Sequence, residues 1–185
     1  MPTSDVAIFP TLVPIEATRP DLAALVPVTI AQGFLVSRGD VVGAITSSGL
    51  YRRRSRTPTN STGFSNASPL GHVVDASVFV PGDVIATSTG TAIGTVAANG
   101  VDPVNNLITL TANAANGVAA GIDVVATDGS AVSQGIANAG SDGTAPVPVP
   151  VFLTGVLLAA SIRGLSASAI QELGGALLAA GTFKF

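Results

Sequence analysis

The chain contains no cysteine and no tryptophan, and few of its side chains are aromatic or charged. The lack of cysteine excludes disulfides and thiolate metal sites. Charged residues make up 10% of the chain, whereas an average soluble domain has about 25%. Hydrophobic residues reach 47% and the mean hydropathy is +0.58. We therefore expect a chain whose apolar, hydroxyl-rich surface is covered by copies of itself or by a partner.

Long hydrophobic runs are also missing. The most apolar stretch, residues 147–162, is interrupted by Pro148, Pro150 and Gly155, and it is too short for a membrane span of about 20 residues. The N-terminus has no basic segment followed by an apolar one, so we expect no signal peptide. The net charge of −3 gives no sign of a nucleic-acid or anionic-lipid partner.

Short strand-like runs separated by turn residues dominate the chain. Three of them begin with a turn aspartate and two β-branched residues, at Asp40, Asp83 and Asp123. Other apolar runs lie at residues 92–96, 107–111, 131–136 and 147–153. Many short strands with Gly, Asn and Asp turns predict a mainly β fold, a small barrel or sandwich.

The C-terminal segment changes from the strand period to the helical one. Four residues spaced for one helix face predict a short C-terminal α-helix: Leu165, Ala169, Ile170 and Leu173. Ser166 or Ser168 can cap this helix, and residues 176–180 are interpreted as its resumption after a Gly-Gly break.

The chain divides into three predicted parts. Residues 1–32 carry five prolines between apolar side chains and predict an extended N-terminal arm, since prolines favour extended backbone. The alternative is a floppy terminus. Residues 33–75 and 128–185 are predicted to form a β core with the C-terminal helix. Residues 76–127 are predicted to be a second, inserted small β-module.

Half of the eight basic residues lie close together, at Arg52, Arg53, Arg54 and Arg56. They begin a stretch, residues 51–71, that lacks an apolar period and is predicted to be a long surface loop. The cluster can be a solvated loop or can dock on an acidic protein surface. Phosphate contact is a third alternative, but Tyr51 is the only aromatic beside it, which is poor for single-strand binding.

No set of residues predicts an enzyme. His72 is the single histidine, and no nucleophile motif accompanies it and Asp75, so we expect no catalytic residue. The turn aspartates are expected to accept hydrogen bonds from local backbone NH groups. We expect no metal site and no cofactor. Arg38-Gly39-Asp40 spells an adhesion tripeptide, but it is more readily a turn into a strand.

Several segments resemble a known family. They are Gly39 to Tyr51 with the pattern Gly-x-Ile-Thr-x-Ser-Gly-x-Tyr, Asp128 to Ile136 ending in Ala-Val-x-x-Gly-Ile, Pro146 to Val156 ending in Gly-Val, and Leu165 to Leu173. Together they resemble the head decoration, or capsid cement, proteins of tailed bacteriophages, typified by protein D of phage lambda. The stretch 76–127 departs from the compact members of that family.

The resemblance implies a structural protein of the virion. Family members are made in the host cytoplasm, form homotrimers on the outer capsid surface, and stabilise the shell against packaged DNA. Their N-terminal arm binds the major capsid protein. Transferred to this chain, that role would fall on the apolar residues Ile8, Phe9, Leu12, Val13 and Ile15, with the four arginines as a secondary docking loop. The alternative function is a surface adhesin or fibre-base module that binds host carbohydrate or receptor.

Overall fold

The computed structural model describes residues 24–158, 162–173 and 177–180, with side chains described through residue 153 and for residues 162–173. In chain order its strands are β1 (Ala24–Ile30), β2 (Val41–Ala44), β3 (Tyr51–Arg53), β4 (Arg56–Phe64), β5 (Leu70–Val73), β6 (Val84–Thr87), β7 (Ala92–Asp102), β8 (Leu107–Leu110), β9 (Asp123–Ala126), β10 (Gly135–Ala137), β11 (Val147–Leu158) and β12 (Leu177–Ala180). A 3-10 turn covers Ala76–Val78 and the helix α1 covers Ala167–Leu173. The predicted mainly β fold with a short C-terminal helix is confirmed.

Six strands form one sheet, which we call the core sheet, in the order β1-β3-β2-β10-β11-β12. β1 also pairs antiparallel with β11, from Ala24↔Thr154 to Ile30↔Val147, and meets β3 in parallel at Ile30↔Tyr51. These two pairings close five of the strands into a ring. Aliphatic side chains fill that ring, among them Ile30, Val42 and Val151.

The other six strands close into a barrel in the order β4-β5-β8-β7-β6-β9. Its strands alternate buried and more accessible positions, as in β8, where Ile108 and Leu110 point inward. A continuous cluster that includes Phe64, Ile85 and Ile93 fills the interior. The barrel is therefore a second folded unit with its own core.

The chain enters the barrel from β3 and returns to the core sheet after β9. The barrel strands lie between Arg56 and Ala126, so β4 and β5, which precede residue 76, belong to the same barrel as β6 to β9. The outgoing and returning segments bond to each other: the Ser55 NH donates to Ser130 O at 3.3 Å, and the Ala126 NH to Ser55 O at 3.1 Å.

The predicted long surface loop over residues 51–71 is wrong, because three strands occupy much of it. The alternation of buried and accessible positions in β4 is hard to recognise in the sequence, because its inward positions include threonines. Thr57 and Thr59 are buried, the Thr57 hydroxyl accepts from the Asp75 NH at 3.0 Å, and the Thr59 hydroxyl donates to Ala119 O at 2.7 Å. Buried hydroxyls with satisfied hydrogen bonds can replace aliphatic groups in a core.

The C-terminal helix begins where the sequence predicts. The Ser166 hydroxyl accepts from the Ala169 NH at 3.2 Å, which is an N-cap contact. Ala169 and Leu173 are buried, but Ile170 is exposed, so its predicted place on the buried face is wrong. The predicted resumption of the helix is also wrong, since β12 occupies residues 177–180 and pairs in parallel with β11.

The predicted arm, residues 1–32, is described only from residue 24 onward. Its last part forms β1 and is integral to the core sheet. The docking residues Ile8, Phe9, Leu12, Val13 and Ile15 lie outside the described residues.

Candidate functional site: the arginine cluster

The four clustered arginines lie where the chain passes from the core sheet into the barrel. Arg52 and Arg53 belong to β3, Arg54 is in the crossing, and Arg56 begins β4. Alternating residues of an extended chain point to opposite sides. Arg52 and Arg54 are buried, at 1% and 4% exposure, so the predicted secondary docking loop has two of its four members inside the molecule.

Arg52 joins the core sheet to the barrel through its guanidinium group. Nη1 and Nη2 each donate to one oxygen of Asp83 at 2.8 Å. Nη1 also donates to Asp128 at 3.1 Å, and Nη2 to the Val78 carbonyl at 2.9 Å. The Phe34 ring centre lies 4.2 Å from the guanidinium carbon. This bidentate, desolvated pairing is the strong form of an arginine–carboxylate contact.

Arg54 and Arg56 meet on one carboxylate of the helix α1, that of Glu172. Arg54 Nη2 lies 3.1 Å from both Glu172 oxygens, and Arg56 Nη1 lies 3.2 Å from one. Ser133 donates its backbone NH and hydroxyl to the same carboxylate at 2.7 and 2.6 Å. Arg56 also donates to Asp123 of β9 at 2.7 Å. Glu172 therefore connects the helix to the crossing and to the barrel.

These contacts shift the acidity of the groups involved. Burial raises the pKa of Glu172, but the hydrogen bonds from Ser133 and the charge of Arg54 outweigh it, so the pKa lies below its ordinary value. Burial is also the main cause that lowers the pKa of Arg54. The hydrogen bonds from Ser133 and the charge of Arg54 therefore favour the ionised form of Glu172.

Arg53 faces the opposite side of β3 and is more accessible. Its Nη2 donates to Asp75 at 2.6 Å, and its Nε lies 3.8 Å from Asp40. Burial raises the pKa of Asp75, but a hydrogen bond from Ser77 and the charge of Arg53 outweigh burial, so the net direction is downward. Asp40 behaves differently: burial raises its pKa, and the Ser37 NH and Arg53 offset that only in part.

Comparison of the chain with protein-family models, curated proteins and solved structures finds no match. The chemistry of the site therefore follows from its own geometry.

The arrangement works as a joint between two folded units. All four arginines bind carboxylates, and three of those carboxylates, Asp75, Asp83 and Asp123, come from the barrel or its turns. The sequence shows the arginines and the turn aspartates separately but not their pairing. The sequence offers one sign of these ion pairs, a cluster of arginines in a chain whose aspartates lie in turns. Only the fold shows which arginine pairs with which aspartate.

Four of the five turn aspartates also bond to local backbone, as predicted, whereas the Asp123 carboxylate accepts from Arg56 of β4. Asp40 accepts from the Ser37 NH at 2.7 Å, Asp83 from Val80, Asp128 from Ser130 and Asp142 from Thr144. The Asp40 side chain is held inside, at 4% exposure. The Arg38-Gly39-Asp40 tripeptide therefore does not present its carboxylate to a receptor.

Neither a metal-binding cluster nor a membrane-spanning helix occurs within the described residues. No three His, Asp or Glu side chains among them are grouped so that they could hold a metal ion. No helix in the same ranges is long and apolar enough to cross a bilayer.

Proposed function

We propose that this chain is a structural virion protein, a decoration protein that trimerises on the outer surface of a phage head and braces the shell by binding the major capsid protein. The proposal rests on the way in which the few charged side chains are used. Six of the carboxylates in the described residues pair with arginines inside or between the two units. Ten large hydrophobic side chains in the described residues are exposed.

Exposed aliphatic side chains support this proposal. In β1 the neighbours Leu25 and Val26 are both exposed, although successive strand residues face opposite sides. Leu35, Val74 and Val104 are more than half exposed. Permanent interfaces between subunits are large and apolar. Exposed aliphatic side chains on two closed β units are therefore suited to permanent contact with other subunits.

The function is mechanical in this proposal. Each trimer bridges neighbouring capsid subunits, and many weak contacts add through avidity. The apolar residues of the N-terminal arm, Ile8, Phe9, Leu12, Val13 and Ile15, supply the docking contacts. Of the arginine cluster, Arg53 and Arg56 are the members placed for a secondary contact, at 20% and 21% exposure, because Arg52 and Arg54 are buried.

The test is binding to expanded shells that lack the protein. Deleting residues 2–16 should abolish binding. A double substitution, Ile8→Asp with Phe9→Asp, keeps the length of the arm and should weaken binding about 100-fold or more, because burying each side chain is worth about 1.5–3 kcal/mol. Undiminished binding by both variants would refute the docking role of the arm. Sedimentation of the pure protein tests the trimer.

A further inference from the structure

Apolar packing holds each unit together but does not cross the joint between them. The buried apolar residues of the described ranges form three clusters. One consists only of barrel residues, between positions 64 and 126, and the other two contain only residues outside that range. No strand of one unit pairs with a strand of the other within the described residues. The units are thus joined by the polar contacts of the arginines rather than by a shared core.

Five of the eight basic residues of the chain lie at this joint. Arg53, Arg54, Arg56 and Arg163 line one hollow of about 250 Å³. Arg52 lines the adjoining hollow of about 440 Å³, together with Arg53 and Arg163. Like charges placed so close together repel each other unless opposite charges separate them. The joint therefore depends on its carboxylates.

Six carboxylates offset this positive charge. Five of them pair closely with the four arginines of the cluster: Asp75, Asp83, Asp123, Asp128 and Glu172. The sixth, Asp40, lies 3.8 Å from the Arg53 Nε and also feels the charge of Arg163. Arg163 itself makes no ion pair within the described residues.

Acid removes the charge of these carboxylates but leaves the guanidinium groups charged. The pKa of Asp40 is raised by burial, so Asp40 takes up its proton before Asp75 and Glu172, whose pKa values are lowered. The stabilisation from lowered pKa values is present above the ordinary values, about 3.9 and 4.3, and is lost as pH falls through the folded values. Full protonation leaves only the eight Lys and Arg and the single His charged.

We propose that the joint is a hinge that acid opens: protonation of its carboxylates leaves five guanidinium groups facing one another, and the barrel moves away from the core sheet while both units keep their folds. The repulsion acts mainly at the joint, because Arg38 and His72 are the only other basic side chains in the described ranges. The two connections between the units, residues 54–55 and 127–134, are short enough to act as the pivot. The proposal concerns a single chain and does not depend on binding to a shell.

The test measures distances within the full-length protein, whose lack of cysteine allows two dyes to be attached at chosen positions. Ala98→Cys in the barrel and Ala145→Cys before β11 place the dyes at exposed sites of different units. Ala98→Cys with Ala112→Cys is the matched pair within the barrel. Labelled protein is diluted into an excess of unlabelled protein, so that energy transfer reports on one chain.

Transfer between the units should fall as the pH is lowered from 7 to about 2, below the ordinary pKa values of the carboxyl groups. Transfer within the barrel and the far-UV circular dichroism should be retained, because each unit has its own apolar core. Added salt should move the opening to lower pH, since the Debye length falls from about 10 Å at 0.1 M to about 3 Å at 1 M.

Removing one guanidinium group tests the cause of the opening. Arg163→Gln breaks no ion pair within the described residues but leaves one positive charge fewer at the joint, so the midpoint of opening should move to lower pH. Arg38→Gln is the matched control, because Arg38 also has no ion pair in those ranges and lines neither hollow. Its midpoint should equal that of the unsubstituted protein.

Three results would overturn the proposal. Transfer between the units that stays constant down to a pH of about 2 would show a joint that acid does not open. Loss of that transfer only together with the signal within the barrel would show unfolding of the whole chain. Equal midpoints for Arg163→Gln and Arg38→Gln would show that crowding of charge at the joint is not the cause. None of these results bears on the decoration function, which shell binding tests separately.

Discussion

Replacing Arg52 with methionine should loosen the joint between the barrel and the core sheet. The guanidinium is 1% exposed and holds both oxygens of Asp83, which is itself 9% exposed, as well as Asp128 and the Val78 carbonyl. Removing one partner of a buried pair leaves the other charge desolvated and unpaired, which costs about 3–5 kcal/mol. Methionine keeps much of the aliphatic length, so the loss reports mainly the charge and its hydrogen bonds.

The next arginine in the same strand provides a matched control. Arg53 and its partner Asp75 are 20% and 37% exposed, and such pairs contribute about 0–1 kcal/mol. Arg53→Met should therefore cost a small fraction of Arg52→Met.

Urea unfolding followed by far-UV circular dichroism measures both variants, and the fluorescence of Tyr51, the single tyrosine, reports on the joint itself. Adding Asp83→Asn to Arg52→Met should recover part of the loss, because the second buried charge is then gone. Equal costs for Arg52→Met and Arg53→Met would refute the inference that the buried pair holds the two units together.

Three further outcomes are expected. The pKa of Glu172 is lowered on folding, so ionised Glu172 adds to the free energy of unfolding above its ordinary pKa of about 4.3, and this stabilisation is lost as pH falls through the folded pKa. Glu172→Gln should therefore lower the free energy of unfolding by about 1–2 kcal/mol at pH 7. At a pH below the folded pKa it should lower it by almost nothing, and urea unfolding measures both values. The pKa of Asp40 is raised by burial, so Asp40→Asn should be as stable as the wild type or more stable at pH 7, with the gain disappearing on acidification. Gly43→Ala should cost about 1–3 kcal/mol in thermal unfolding, because a Cβ there meets Ser130 O and lies 2.6 Å from Val132 O, whereas Gly117→Ala, with its nearest atom at 3.6 Å, should be nearly neutral.

The strands whose inward positions are aliphatic could be predicted from the sequence. Runs such as residues 84–87 and 107–110 alternate or cluster Val, Ile and Leu, and hydrophobic period is the strongest local signal. β4 was missed because threonines occupy two of its inward positions. Residues 177–180 were missed because Leu and Ala suit a helix equally well, and only pairing with β11 makes them a strand.

The burial of Arg52 and Arg54 was also missed because the local sequence does not show it. A run of arginines in a polar stretch looks solvent-exposed when each residue is considered by itself, since arginine is rarely buried. Burial becomes favourable only when carboxylates arrive from distant parts of the chain, as Asp83, Asp128 and Glu172 do for Arg52 and Arg54. Their sequence separations are long, so no local pattern contains the pairing.

The scarcity of charged residues has two connected consequences, one for the joint and one for the surface. A chain with 10% charged residues that uses most of those in the described ranges at one internal joint has few left to keep copies apart. Burying the pairs at the joint costs desolvation that the network must offset, and the result is a fixed relation between barrel and core sheet. That fixed relation also sets how the exposed aliphatic side chains of the two units, among them Leu25 and Val74, are placed relative to each other. If Arg52→Met loosens the joint as expected, it should also weaken self-association, although Arg52 lies too deep to touch a second copy.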